Sequence, residues 1–146
     1  MDTVGNLVAG REVYTVQVGQ SVYEVVRYMV EKNIGAVAVL EGDRVAGIFS
    51  ERDLMTRVIS PELNPRQVTV KEVMTRNLIT AAPQESYETC LARMQKHGIR
   101  HLVVADGDRV VGVISLRDLM SIDIQQKSAE IQMMHAYLHY VPPAAA

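Results

Sequence analysis

The chain has 146 residues and a net charge of −2 at pH 7, with 48% hydrophobic and 22% charged residues. This length allows one compact domain or two small halves that share a core. The charge argues against a nucleic-acid partner, because nucleic-acid-binding surfaces usually carry a basic surplus. Every apolar run is shorter than the roughly 18 residues of a membrane span, and the N-terminus lacks signal-peptide features. We therefore expect a cytoplasmic protein without a membrane partner.

The sequence contains two copies of one unit. The segment GDRVAGIFSERDLM at residues 42–55 returns as GDRVVGVISLRDLM at residues 107–120, an offset of 65 residues. Over residues 32–55 and 97–120, 12 of 24 positions are identical. A repeat of this length indicates a duplicated structural unit. Four further pairs coincide upstream: Arg11 and Arg76, Thr15 and Thr80, Ser21 and Ser86, and Met29 and Met94.

In chain order, each copy begins with a short extended segment that contains Thr15 or Thr80. An amphipathic helix follows, and then a β-rich run, a Gly-Asp turn typical of a hairpin, and a second β-rich run. A short helix begins at Ser50 in the first copy and at Ser115 in the second. The order β-α-β-β-α, found twice, predicts an α/β (α+β) fold. Because neither half has enough apolar surface alone, we expect them to pack about a pseudo-twofold axis.

This order predicts five segments. The proline-containing join ISPELNPRQVTV separates the two copies. The predicted segments are repeat 1 at residues 1–60, a linker at 61–67, repeat 2 at 68–126, a C-terminal amphipathic helix at 127–141 and a tail at 142–146.

The C-terminal helix belongs to neither repeat. Ser128 is its candidate N-cap, and Ile131, Met134, Leu138 and Val141 recur at spacings of 3, 4 and 3. This spacing gives an amphipathic helix with one apolar stripe. Two interpretations are equally favoured: the stripe covers an exposed edge of its own chain, or it forms a dimer contact.

The end of each hairpin carries the pattern Gly-x-x-Ser-x-x-Asp, which has a purely structural interpretation. Ser50 and Asp53 fit a capping box, in which the carboxylate accepts a hydrogen bond from the N-cap amide. Ser115 and Asp118 repeat the pattern. A carboxylate in the first turn also complements the helix dipole. Duplication does not weaken this interpretation, because a duplicated unit duplicates its caps.

The same pattern also suits a ribonucleotide. A helix N-terminus offers backbone amides to phosphate, and Arg52 or Arg117 adds a cation in the first turn. The aspartate can accept two hydrogen bonds from a ribose diol. Gly47 and Gly112 would let a flat ligand approach the backbone.

The chain resembles a tandem pair of cystathionine-β-synthase (CBS) domains, also called a Bateman module, of the stand-alone bacterial type. The resemblance covers about residues 3–125 and rests on the motifs GIFSERD, GVISLRD, KEVMTRNLIT and HGIRHLVV. It implies an adenosine ligand (AMP, ADP, ATP or NAD) in the cleft between the repeats. The signature aspartate would hold the ribose hydroxyls, and a threonine of the other repeat would border the adenine.

Carried onto this sequence, the resemblance implies two pockets. One pocket would use Ser115, Arg117 and Asp118 with Thr15. The other would use Ser50, Arg52 and Asp53 with Thr80. The adenine would lie near Ile34, Ala36, Ile99 and His101.

The two copies differ where the second β-rich region begins. The first copy has Gly35-Ala36 and the second has Arg100-His101. Two extra cations would favour a more highly charged ligand in the Asp118 pocket. Glu51, which corresponds to Leu116, adds a negative charge that we expect beside the Asp53 pocket.

These observations predict a regulatory protein that needs no cofactor and senses adenine nucleotides through a conformational change. No nucleophile, acid–base pair, metal cluster or phosphate loop nominates an enzyme. Paired CBS modules commonly form disk-like dimers, so the resemblance implies a homodimer that acts on a separate effector protein. The alternative is an interaction or scaffold protein without a small-molecule ligand, in which both aspartates serve only as caps.

Overall fold

Two halves of matching architecture make up the described part of the chain, residues 3–139 of a computed structural model. The first half contains α1 (Val4–Val8), β1 (Thr15–Gln17), α2 (Val22–Lys32), β2 (Ala36–Glu41), β3 (Arg44–Ser50) and α3 (Glu51–Asp53), which continues as a π-helical segment, Leu54–Ile59. The second half contains α4 (Val70–Val73), β4 (Thr80–Ala81), α5 (Tyr87–His97), β5 (His101–Asp106), β6 (Arg109–Ser115) and α6 (Leu116–Leu138). The predicted β-α-β-β-α order is confirmed in both halves, and α1 and α4 are additional.

Each half has a three-stranded sheet with the same topology. β1 pairs parallel to β2, which pairs antiparallel to β3, and β4, β5 and β6 repeat this order. Each antiparallel pair also contains one irregularity at the equivalent position. The register shifts between Val39 and Leu40 in the first half and between Val104 and Ala105 in the second. Buried Ala38 and Val103 join the two sheets in one small apolar cluster. The predicted packing of two equivalent halves is therefore confirmed.

The longer helix of each half begins and ends as its sequence dictates. The Ser21 hydroxyl accepts a hydrogen bond from the Glu24 amide, and Ser86 plays the same part for α5. Asn33 and Gly98 end these helices in the left-handed conformation, which asparagine and glycine tolerate best. The buried face of each helix then packs on its own sheet.

Each of the short helices α1 and α4 packs in the core of the half to which it does not belong in sequence. Val4 and Val8 of α1 pack in the core of the second half, with Leu102 and Ile114. The Val4 amide also donates to the Glu85 carbonyl. Conversely, α4 packs in the core of the first half, and the Val70 amide donates to the Gln20 carbonyl. Each core is thus completed by the segment that precedes the other half, which ties the halves together.

The glycines in the middle of β3 and β6 are needed for this exchange. A side chain at Gly47 would place its Cβ 2.7 Å from the Met74 sulfur and the Thr75 carbonyl oxygen. At Gly112 the Cβ would lie 2.9 Å from Val8 Cβ. The expectation that these glycines admit a flat ligand is therefore wrong in this structure, because protein segments already occupy the space beside them.

The final helix differs from its predicted form. α6 runs unbroken over Leu116–Leu138, so Ser128 lies in its interior and is not an N-cap. Ile131, Met134 and Leu138 are 63%, 64% and 74% exposed, so the stripe does not cover an edge of its own chain. Val141 and the predicted tail lie outside the described residues. Among residues 3–139, α6 included, no helix is long and apolar enough to cross a membrane.

Gly47→Ala is expected to lower the free energy of unfolding by about 1–3 kcal/mol. The added methyl group meets the Thr75 backbone, which two hydrogen bonds to Ile48 hold in place. Gly19→Ala is the matched control, because no atom lies within 4 Å of its Cβ position. Urea denaturation of both variants measures the effect. Equal stability of the two variants would contradict the close approach described above.

Candidate functional site

A large open cleft lies between the two halves, with a volume of about 1470 Å³. Binding pockets for small molecules commonly have about 300–1,000 Å³, so a nucleotide would fit. Seven of the sequence-predicted site residues line this cleft: Ile34, Ala36, Arg100, His101, Ser115, Arg117 and Asp118. The structure therefore brings the residues of the predicted Asp118 pocket together at one place, with the exception of Thr15.

Asp118 caps α6 and also faces the cleft. Its Oδ2 accepts hydrogen bonds from the Ser115 amide at 3.0 Å and from Arg11 Nη1 at 3.2 Å. In return, the Ser115 hydroxyl accepts a hydrogen bond from the Asp118 amide, which completes the predicted capping box. Asp118 Oδ1 accepts no hydrogen bond from another described residue, and the side chain is 30% exposed. One carboxylate oxygen is thus left to face a ligand.

The Asp118 carboxylate is held in its charged form. Burial raises its pKa, but the hydrogen bonds from Ser115 and Arg11 outweigh burial, and the net pKa is lowered. A carboxylate in this form accepts hydrogen bonds and donates none. It is therefore suited to a donor such as a hydroxyl pair.

The opening segment of the first half supplies residues that the sequence reasoning missed. Arg11, Glu12 and Tyr14 line the cleft, and Arg11 forms a salt bridge with Asp118. The sequence held a signal for Arg11, because Arg76 occupies the same place in the second copy. That signal does not identify a contact, because Arg76 donates to the Lys71 carbonyl instead.

Arg100 and Arg117 line the cleft together with His101, as predicted for the Asp118 pocket. Glu51 lines the same cleft, so its expected place beside an Asp53 pocket is wrong. Glu51 and His101 converge over Gly35, whose Cβ position is 3.0 Å from Glu51 Oε1 and 3.4 Å from His101 Nε2. A side chain at position 35 would therefore require the Glu51 carboxylate to shift.

His101 is the member of this cluster whose ordinary pKa lies closest to neutral pH. Burial lowers its pKa, the carboxylates of Glu51 and Asp118 raise it, Arg100 lowers it, and the net shift is downward. His101 is therefore neutral at physiological pH in this structure. An anion bound nearby would favour its protonated form.

Asp53, the counterpart of Asp118, has a different environment. Its Oδ2 accepts from the Ser50 amide and hydroxyl at 3.0 and 3.2 Å. Its Oδ1 accepts from the Thr75 hydroxyl at 3.1 Å and lies 3.6 Å from Arg57 Nε. The residue is only 7% exposed. Both oxygens are engaged, so the capping role is confirmed and this conformation leaves no oxygen for a ribose.

The remaining predicted site residues are not part of the cleft lining. Thr15 pairs with Ala38 inside a sheet, and Thr80 pairs with Val103. Ile99 packs against the core of the second half. The residue that approaches Asp53 from the other repeat is Thr75, five positions before the predicted threonine. The cleft lining includes none of the residues of the second predicted pocket, which are Ser50, Arg52, Asp53 and Thr80, and it does not include Ile99.

Comparison with known proteins identifies the family. The CBS domain family matches residues 4–60 and 70–124, which together make up most of the chain. The chain belongs to the CBS-domain family. This CBS pair shares 31% identity over 118 residues with the CBS domain-containing protein YhcV of Bacillus subtilis, over 81% of this chain and 84% of YhcV. It spans only 60% of the length of two other curated relatives.

Solved structures show the same fold. A putative signal-transduction protein with CBS domains from Burkholderia ambifaria is 37% identical, with a TM-score of 0.79 over 85% of this chain and 95% of that one. The CBS domain pair of protein MJ0100, in complex with 5′-methylthioadenosine and S-adenosyl-L-methionine, is 23% identical. Its TM-score is 0.76 over 86% of this chain and 98% of that one, and this likeness concerns the fold alone.

Thr75→Val is expected to lower the free energy of unfolding by about 1–2 kcal/mol, because it removes a hydrogen bond to the nearly buried Asp53 carboxylate. Thr56→Val is the control, since the exposed Thr56 hydroxyl bonds only to a helix carbonyl; it should cost less than about 0.5 kcal/mol. Chemical denaturation at pH 7 compares the two. If Thr75→Val lowers the free energy of unfolding no more than Thr56→Val does, the Thr75–Asp53 hydrogen bond does not stabilise the fold.

Proposed function

We propose that this chain is a regulatory module that binds an adenosine compound, such as AMP, ADP, ATP or NAD, in the cleft beside Asp118. The observation that carries the proposal is the Asp118 carboxylate. Its Oδ2 is used by the helix cap and by Arg11, its Oδ1 accepts no hydrogen bond from another described residue, and Asp118 lines a nucleotide-sized cleft. The protein performs no chemistry and needs no cofactor.

The arrangement of charges supports a ligand with ribose and phosphate. Asp118 is an acceptor for the ribose diol, and it lies in the first turn of α6, where the helix dipole favours a phosphate nearby. Arg100, His101 and Arg117 also line the cleft and can pair with phosphate oxygens. An apolar wall for the adenine is provided by Ile34, Ala36 and Met29.

The relatives support the ligand class and the regulatory role. The CBS domain pair of MJ0100 was solved with two adenosine compounds, and the Burkholderia ambifaria relative is described as a putative signal-transduction protein. We extend both features to this chain. Because binding changes an equilibrium only when two conformations differ in affinity, we propose that the ligand shifts the arrangement of the halves. A separate cytoplasmic effector protein reads that change.

The asymmetry between the aspartates favours one ligand per chain. The Asp53 carboxylate is closed by Thr75 and Arg57, whereas among residues 3–139 the Asp118 carboxylate has hydrogen bonds and ion pairs only with its cap and with an exposed arginine. Displacing Arg11 requires only the movement of a side chain that is 47% exposed. Opening the Asp53 site would require a packed backbone segment to move.

Calorimetric titration with AMP, ATP and NAD tests this function. Asp118→Asn keeps the cap acceptor but removes the charge that holds the ribose, so we expect the affinity to fall roughly tenfold to a hundredfold. The 2′-deoxy form of the best ligand should lose a similar factor. Asp53→Asn is the matched control and should bind normally, with one ligand per chain.

Two outcomes would overturn the proposal. If protein confirmed free of co-purified nucleotide gives no binding heat with any ligand, the scaffold interpretation replaces it. If Asp53→Asn weakens binding as much as Asp118→Asn, the assignment to the Asp118 cleft is wrong.

The proposal also predicts a pH dependence through His101. Burial lowers the pKa of free His101, and a bound phosphate would raise it, so binding takes up a proton. The affinity for ATP should therefore rise about three- to tenfold between pH 7.5 and 5.5 in excess of the change seen for adenosine. His101→Gln should abolish that excess. An unchanged excess in the variant would remove His101 from the phosphate site.

A further inference from the structure

The distal part of α6 has an apolar stripe that its own chain leaves exposed. Five apolar side chains and one lysine form it, at successive spacings of 4, 3, 4, 3 and 4 residues: Met120, Ile124, Lys127, Ile131, Met134 and Leu138. The apolar members are between 48% and 74% exposed. We call these six residues the α6 seam. Spacings of 3 and 4 residues give the average of 3.5 that is typical of coiled coils.

The distal turns of α6 are exposed. The described residues of α6 from 124 onward all belong to the exposed class, and none of them is a member of either large hydrophobic core. Isolated helices of about 12–15 residues are only marginally stable in water. An exposed stripe of large apolar side chains marks an interaction surface.

We propose that the α6 seam pairs antiparallel with the α6 seam of a second copy of this chain. The spacings read the same in both directions, so the seam is complementary to itself about a twofold axis level with Ala129. Such self-complementarity is what an interface between identical copies requires. The antiparallel pairing matches Met120 with Leu138, Ile124 with Met134, and Lys127 with Ile131 of the partner copy.

The charges favour the antiparallel direction. In a parallel pair in register, Lys127 would face Lys127 across the seam, which brings like charges together. In the antiparallel pair, Lys127 of one copy faces Ile131 of the partner copy. It also lies beside Glu130 of that partner copy. Two lysines and two glutamates then meet on one side of the seam, where opposite charges alternate. The exposed Lys127 also keeps its contact with Asp123 of its own helix, at 3.3 Å.

The pairing would also bring the second copy to the candidate ligand site. Met120 and Ile124 belong to the α6 seam and also line the cleft. Their matched residues, Leu138 and Met134 of the partner copy, would therefore lie at the mouth of the cleft. The interface and the cleft share the same helix.

Sedimentation equilibrium of the full chain tests the interface. The unmodified chain is expected to be a dimer, and Met134→Glu should raise the dissociation constant by at least about a hundredfold, because the twofold axis introduces the charge twice into an apolar seam. Met133→Glu is the matched control: Met133 is 72% exposed but lies off the seam, so the dimer should persist. A monomeric unmodified chain, or equal effects of the two substitutions, would overturn the proposal.

Disulfide formation tests the direction. The only cysteine of the chain, Cys90, is buried, so introduced cysteines at the surface are the reactive ones. Antiparallel pairing predicts that Ile124→Cys and Met134→Cys cross-link to each other when mixed and oxidised, and that neither cross-links to itself. Self-cross-linking of each variant alone would show parallel pairing and would overturn the antiparallel assignment.

Discussion

The serine–aspartate cap at the end of each hairpin is the contact on which the fold and the candidate site both depend. In each half the aspartate accepts the amide of its own serine, and the serine hydroxyl accepts the aspartate amide. This exchange fixes where the strand stops and the helix starts. It also fixes the position of the carboxylate, which in the second half is part of the cleft lining. A structural cap and a ligand acceptor are two uses of one geometry.

What distinguishes the halves is the second partner of this carboxylate. Asp118 meets the long side chain of Arg11 at Oδ2, and its Oδ1 accepts no hydrogen bond from another described residue. Asp53 meets Thr75, whose backbone is bonded to strand β3. A flexible cation can leave its partner, whereas a threonine anchored through its main chain cannot. Gene duplication thus produced two equal caps, and the segments packed against them made one open and the other closed.

Helix α6 connects the cleft to the exposed part of the molecule. Its N-terminus contributes Ser115, Arg117 and Asp118 to the cleft, and its distal turns carry the exposed apolar stripe. A continuous helix is stiff along its axis, so a change of angle at one end moves the other. In the proposed dimer, helix α6 would transmit a change at the ligand site to the arrangement of the two copies.

Much of this organisation could be predicted from the sequence. The 65-residue offset, the hydrophobic periodicities and the Gly-Asp turns indicate both β-α-β-β-α units, because such local patterns depend on near neighbours. The Asp118 side of the cleft was predictable as well, since the cap geometry is local and Arg117 lies within the cap motif.

Tertiary structure alone decided the rest. The exchange of α1 and α4, the pairing of Arg11 with Asp118 and the burial of Asp53 under Thr75 join residues that are far apart in the chain. The repeat makes Arg11 and Arg76 equivalent in sequence, yet their contacts differ. The sequence by itself therefore determined which units form, and the packing of one half against the other decided which site stays open, because that packing depends on side-chain shapes that meet only in the folded molecule.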